Sequence, residues 1–430
     1  MTDDIPSRLL YAFYGDDFTG STDVLEGLAL HGVPSVLFTQ IPGEDDLIAF
    51  AHCRAVGIAG ESRSRSPAWM TRNLPAVFAA MRRLGAPINH YKVCSTFDSS
   101  PRIGSIGRAM ELGRNVFKGS AVPVVVGAPH LGRAVAFSNL FAVERGVMHR
   151  IDRHPTMRQH PVTPMGESDL RLHLARQTTM RIGSVDLRSF QPGLAEKQFV
   201  AEEVAHAKAI VFDGMNDAML DETARIVWRR ALMRPVFAVG SSGLTYGLMR
   251  HWRELGILVG DPVPPSLEPA DRLLVLSGSC SPVTAAQIRR ARRQGFAAWR
   301  IRSAEDWRLH EPEALRELAN GRSVLLYSAL GPQAADKQFG ERFSTFLGKG
   351  LRRLLLASGV RRVVIVGGDT STHVVKQLEI NALTFAASLV PGVPLCCIYA
   401  PDSPLNGIEI ALKGGQIGPE DFFARVRDGR

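Results

Sequence analysis

Two adjacent acids open the chemistry of this chain. Asp16 and Asp17 stand in YGDDFTGSTD, residues 14 to 23, directly after LLYAF, an apolar run of strand-like character. Thr19, Gly20, Ser21 and Thr22 follow where a helix should begin, and the unpaired N–H groups and positive dipole end of such a start favour an anion. A carboxylate beside that position can instead take a proton from a substrate hydroxyl within hydrogen-bond reach. One short polar residue suffices to cap a helix, and here there are two acids. Capping and general-base catalysis both stand open.

A second stretch, YKVCSTFDSSPRIGSIGRAM (91 to 110), offers Ser95, Thr96, Asp98, Ser99 and Ser100, then Gly104 and Gly107 ahead of a helix. Hydroxyls and glycines after a strand suit a polyol or carboxylate pocket, and equally an ordinary Ser/Thr-rich loop. Towards the C-terminus, VVIVGGDTSTHVV (363 to 375) reads as a strand, then Gly367 and Gly368, then Asp369 and Thr370 opening a helix. Glycines let the backbone approach a phosphate, and a helix start holds it. LSGSCSPVTAAQ repeats the arrangement with Ser277, Gly278, Ser279 and Ser281, and LKGGQIG adds Gly414 and Gly415. One such loop says little; three in about 160 residues favour a nucleotide.

These corners belong to a repeated grammar of short apolar run, Gly- or Ser-rich corner, then helical pattern, seen in PVVVGAPHLG, PVFAVGSSGLTYGLMRHW and RRVVIVGGDTSTHVVKQLEI. Continuous Val/Ile/Leu runs suit buried parallel strands, and their alternation with helices suits βα units. The expected class is α/β, with two domains, each a largely parallel sheet flanked by helices. At 430 residues the chain exceeds what one core usually organises. GDPVPPSLEPADR interrupts the periodic pattern with prolines and acids. The expected division is 1–258, a linker at 259–272, and 273–430. Ligands of such sheets sit beyond the carboxyl ends of the strands, so the active site is expected in a cleft between the domains.

Composition removes other classes. Apolar content of 45% and charged content of 22% are ordinary for a globular enzyme. The formal charge is +9, but the arginines are scattered along helix-like stretches such as IRRARRQ, without a basic block or interleaved aromatics, which argues against nucleic acid. Five cysteines form no C-x-x-C, and the histidines between 130 and 173 lack the spacing of a zinc site. The N-terminus, MTDDIPSRLL, has no signal pattern and no apolar run approaches a membrane span, so a cytoplasmic protein is expected. The P-loop, a dinucleotide fingerprint after the first strand and the protein-kinase H-R-D set are all absent.

In order along the chain, GDDFTGSTD, ESRS, YKVCSTFDSS with GSIG, MRQHPVTPMGESDL, VGSSGL, SGSCSPVTAAQ, GGDTS and KGGQIG resemble the acid-sugar kinases often called four-carbon acid sugar kinases. The resemblance implies an N-terminal acid-sugar domain, a C-terminal ATP domain, and transfer of the γ-phosphoryl group to a terminal hydroxyl. It places Asp16 and Asp17 at the acceptor, with Asp17 as the base. Arg63, the Ser95 to Ser100 loop, Arg158 and His160 would bind the carboxylate and hydroxyls. The loops with Ser277, Ser279, Gly367, Gly368, Asp369, Thr370, Gly414 and Gly415 would hold ATP, with Mg²⁺ offsetting phosphate charge. A homodimer is left open.

Where tetronate-directed members show ADDFTGATD, GNIG and KSGNFG, this chain has YGDDFTGSTD, GSIG and KGGQIG. These departures resemble the branch assigned to 3-oxo-isoapionate, phosphorylated on its 4-hydroxyl, with 3-oxo-tetronate, threonate and erythronate as alternatives. A sugar-acid sensor without chemistry is the competing class, and it leaves the acids of GDDFTG without a catalytic task.

Overall fold

The computed structural model describes residues 9–119, 121–144, 146–160, 162–260, 262, 265–331 and 337–430. The N-terminal stretch MTDDIPSR, and Asp261, Val263 and Pro264 of the expected linker, lie outside the described residues. By contact the chain divides into two compact units. One gathers the described residues of 9–16, 27–35 and 50–262; the other gathers those of 17–26, 36–49 and 265–430. Two short N-terminal segments, 17–26 and 36–49, thus group with the C-terminal part of the chain.

In the first unit seven strands pair in parallel in the order Ala55–Ala59, Tyr11–Gly15, Ile88–Lys92, Val236–Gly240, Val122–Val125, Ala209–Phe212 and Ile182–Val185. The first three strands of that order are buried along their whole length; Tyr11–Gly15 and Ala55–Ala59 accordingly read as apolar runs without alternation, whereas Ile88–Lys92 buries Asn89, His90 and Lys92. Gly15 stands opposite both Ala59 and Lys92, so these three strands end together. Their exits carry Asp16, the 61–65 stretch and the 94–100 loop to one edge of the sheet. The helix Pro67–Leu84 packs on this sheet. Ser66 caps it, Pro67 opens it with a preset φ, and Gly85 closes it in the left-handed conformation. Its Met70, Leu74, Phe78 and Met81 join Tyr14 and Tyr91 in the core. A three-stranded antiparallel sheet, Arg133–Ala136, Asn139–Glu144 and Val147–Arg150, stands apart from the parallel one.

The second unit orders its strands Ala297–Arg300, Val324–Tyr327, Leu274–Ser277, Arg362–Val366, Glu409–Lys413, Val393–Tyr399, Ala382–Val390, ending on Val36–Phe38 of Ser35–Phe38. The first five pair in parallel and the last three connections are antiparallel. Ser277 stands opposite Val366, and Val366 opposite Lys413. The three glycine loops therefore leave neighbouring strands at the same level, each feeding the region where the helices Pro282–Arg293 and Gly368–Leu378 begin. Each unit is α/β with a mostly parallel sheet flanked by helices, as the alternation of strand and helix patterns predicts. Among the described residues no helix is long and apolar enough to cross a membrane.

Candidate active site

At the edge of the first unit Asp16 is buried, and Arg63 grips it with two parallel bonds. Nη2 donates to Oδ1 at 2.7 Å and Nε to Oδ2 at 3.2 Å. The Arg63 amide also donates to the Asp16 carbonyl at 3.1 Å, fixing the turn that carries the guanidinium. Such a fork-on-carboxylate pair is geometrically specific. Gly104 makes room for it: its φ is +62°, and a Cβ there would stand 2.4 Å from the Arg63 carbonyl oxygen. The first glycine of GSIG thus brings the 95–104 loop against the arginine turn.

Asp98 lies in the same group. Its Oδ1 accepts the Thr96 hydroxyl at 2.6 Å and its Oδ2 accepts that of Thr163 at 3.1 Å. Burial pushes this carboxyl up, but Arg63, His160 and the two hydroxyls outweigh it and hold Asp98 below the usual carboxylate range. Nδ1 of His160 lies 3.0 Å from the Thr163 hydroxyl and accepts the Thr163 amide. Ser99 bonds His173 at 2.8 Å, and Gln177 joins the same pair; burial lowers His173 to about 4, so its ring is neutral. Ser95 is buried, whereas Ser100 closes a local turn with Ile103 and Arg158 is exposed on the short turn Met157–Gln159.

In the second unit the two oxygens of Asp17 point to different tasks. Oδ1 accepts the Gly20 amide at 2.6 Å, capping the helix Phe18–Leu30. A Cβ built on Gly368 would lie 3.8 Å from Oδ2, so that oxygen looks onto the start of the helix Gly368–Leu378. One acid therefore caps with one oxygen and presents the other to the GGDT corner.

The three glycine loops interlock. A Cβ on Gly278 would strike the Thr370 hydroxyl at 2.1 Å, and one on Gly415 would strike that of Ser279 at 2.3 Å. Thr284 donates to the Gly415 carbonyl at 2.7 Å, and the Gln287 amide to the carbonyls of Ile417, Gly418 and Pro419. Into this junction come buried hydroxyls of Ser277 and Ser371 that have no hydrogen-bond partner, and a third, Thr19, sits in the first turn after Asp17. Unmade bonds of buried hydroxyls are costly, and a ligand rich in acceptors would satisfy them. Asp369 is exposed on the first turn of its helix. Lys413, the first residue of KGG, is fully buried and donates to the Gly414 carbonyl at 2.9 Å, its ammonium 5.6 Å from the Phe422 ring centre. Burial lowers it to about 7.

Known proteins resemble this chain over nearly its whole length. A family model of a sugar-binding N-terminal domain matches residues 11–248, and one of a nucleotide-binding C-terminal domain matches 274–423. The chain belongs to this two-domain family of acid-sugar kinases. Among curated relatives, the 3-oxo-isoapionate kinase of Paraburkholderia graminis is 44% identical, covering 99% of this chain and 95% of that protein. The 3-oxo-tetronate kinase of Pectobacterium atrosepticum is 30% identical, covering 96% and 97%. A solved structure from Salmonella typhimurium LT2, described provisionally as a tRNA synthase, superposes with a TM-score of 0.79 at 25% identity, covering 96% of this chain and 98% of its own.

Sequence reading passes over Thr163, His173, Gln177, Gln287 and Lys413 as site residues. Thr163 and Lys413 lie inside quoted motifs, HPVTP and KGGQIG, so a signal is present. Gln287 closes the quoted motif SGSCSPVTAAQ, whereas Gln177 is a single amide in a turn after a helix, and only the fold reveals what either holds.

Proposed function

We propose that this kinase transfers the γ-phosphoryl group of ATP to the 4-hydroxyl of 3-oxo-isoapionate, with Asp17 as general base. The carrying observation is the divided carboxylate of Asp17: the capping bond at Oδ1 fixes the side chain, leaving Oδ2 oriented towards Gly368. A base held in one rotamer loses little freedom at the moment of transfer. Oδ2 takes the hydroxyl proton as the substrate oxygen attacks the γ-phosphorus and the bond from that phosphorus to the bridging oxygen of ADP breaks; ADP departs, and Asp17 then passes the proton to solvent. The Arg63–Asp16 pair and Asp98 define the acid-sugar side, in which Arg63 meets the substrate carboxylate and Ser95, Thr96 and His160 meet its hydroxyls.

The nucleotide side fits a triphosphate. Ser277 and Ser371 have donors to give, and the contacts at Gly278 and Gly415 leave no room for a side chain at those two positions. Ser279, Gly367, Gly368, Thr370, Gly414 and Gly415 form the backbone cradle. Mg²⁺ supplies neutralisation of the phosphate charge. Residues 1–258 and 273–430 serve as the acid-sugar and ATP domains, with segment 17–26 delivering the base to the latter.

The substrate assignment follows the relative at 44% identity and the departures in the acceptor-side motifs. 3-Oxo-tetronate is the second reading, carried by the relative at 30%. A coupled ADP-release assay with ATP and Mg²⁺ across 3-oxo-isoapionate, 3-oxo-tetronate, D- and L-threonate and D-erythronate decides between them. Preferential turnover of 3-oxo-isoapionate supports the assignment; preference for 3-oxo-tetronate replaces it. Sedimentation of the active enzyme reads whether it is a homodimer.

A further inference from the structure

The helix that Asp17 caps carries a second buried acid within its run of buried residues 21–28. Glu26 is only 1% exposed, and the apolar residues around it, in VLEGLAL, give no hint of a polar task. Both of its oxygens are used. Oε1 accepts the Ser388 hydroxyl at 2.5 Å and Oε2 accepts the Gly392 amide at 2.7 Å. Those two donors belong to the hairpin of Ala382–Val390 and Val393–Tyr399, and the pairing of its strands is irregular at this place, with register shifts between Phe385 and Ala387 and between Ser388 and Val390. Gly392, at the turn, has a φ of +78°. A regular ladder would direct the Gly392 amide and the Ser388 hydroxyl elsewhere; the irregular one converges them on a single carboxylate.

We propose that Glu26 is a positioning residue for phosphoryl transfer: by clamping the helix Phe18–Leu30 to this hairpin it fixes where the Asp17 carboxylate stands. The inference rests on the role given to Asp17 above. Nine residues separate the two acids, about 14 Å along a helix. With the far end released, a tilt of about 5° displaces the Asp17 end by about 1 Å, and misplacement on that scale can cost about 10² in rate. Burial pushes the Glu26 carboxyl up to about 7, with neighbouring Asp23 adding to the rise against the two hydrogen bonds. A neutral group of the same shape can make both bonds: the glutamine oxygen accepts from Gly392 while its amide donates to Ser388.

The test compares Glu26→Ala, Glu26→Gln and Ser388→Ala with the full-length wild type. Expected for Glu26→Ala is a fall in kcat of about 10- to 100-fold, with ATP affinity by calorimetry within about twofold. Glu26→Gln recovers most of the rate, and Ser388→Ala, which removes one bond of two, falls between. Hydrogen exchange supplies a readout independent of turnover, with Glu26→Ala exchanging faster at the Gly20 and Ser21 amides as well as at Gly392. A folded Glu26→Ala enzyme with wild-type kcat overturns the proposal, and so does faster exchange confined to Gly392. Equal impairment of Glu26→Ala and Glu26→Gln also overturns it. If Glu26→Ala fails to fold, unchanged kcat and unchanged Gly20 exchange in Ser388→Ala overturn it in the same way. Failure of the Asp17 role is seen separately, as wild-type turnover by Asp17→Asn with the clamp's exchange signature intact.

Discussion

The sugar side and the nucleotide side solve opposite problems. Around Arg63 in the first unit the polar groups named above satisfy one another: Arg63 holds Asp16, two hydroxyls hold Asp98, and Ser99, His173 and Gln177 bond in a ring of three. In the second unit buried hydroxyls of Ser277 and Ser371 are left unsatisfied, and the loops crowd so closely at Gly278 and Gly415 that only glycine fits there. A small substrate that varies from branch to branch is met by a network of charges that can be retuned residue by residue. In the proposed reading a triphosphate is met by backbone and by hydroxyl donors that are already desolvated before the ligand arrives.

That contrast can be broken at several points. The largest effect is expected from Asp17→Asn, which retains a side-chain oxygen able to cap the helix but lacks the base; turnover should fall by ~10² to 10⁴ with ATP still bound, and turnover within twofold of wild type removes Asp17 from the mechanism. Next, Arg63→Ala should raise KM for the acid sugar by roughly 10- to 100-fold, the scale of a lost charge-assisted bond, while KM for ATP stays within about twofold. A matching rise in both would erase the division between the two sides. Gly368→Val should weaken ATP binding by about tenfold, the scale of one or two lost hydrogen bonds; because the free protein has space there, thermal stability should hold, and unchanged ATP affinity would refute the loop assignment.

The smallest effect is on stability against pH. Burial lowers His90 to about 3, in the first unit. Its contribution is complete above the ordinary 6.5 and is lost as pH falls towards 3, because unfolding takes up a proton. Glu26, raised to about 7 in the second unit, has the opposite sign: its contribution is complete below 4.5 and is lost as pH rises through 7. Melting temperature recorded between pH 4.5 and 6.5 should therefore change slope in opposite senses for His90→Gln and Glu26→Gln, by a few degrees. Slopes that move together contradict the buried assignments.

Much of this was legible in the residues. Runs such as LLYAF and RLLVL announce strands buried on both faces, and glycine with hydroxyl residues after them announces corners that turn into helices. GDDFTG marks the proposed acceptor site, but the two acids are alike until the fold is known. Only the strand exit shows Asp16 turned to Arg63 and Asp17 turned to Gly368. Glu26 was hidden for a different reason: an acid in an apolar helix reads as a solvated position, and its partners lie 362 and 366 residues further along. The antiparallel sheet of Arg133–Glu144 and Val147–Arg150 also escaped notice, because short strands among histidines and arginines carry no clean alternation.

The return of segments 17–26 and 36–49 to the C-terminal unit has a practical side. A fragment beginning at residue 273 would keep its three glycine loops yet lose both the helix that Glu26 clamps and the strand that pairs with Ala382–Val390. It would carry a raw sheet edge, the kind that pairs with other chains and precipitates. For anyone dissecting this enzyme, the linker is a misleading place to cut: a soluble nucleotide-binding fragment has to be built as a permuted chain, with residues 17–49 restored.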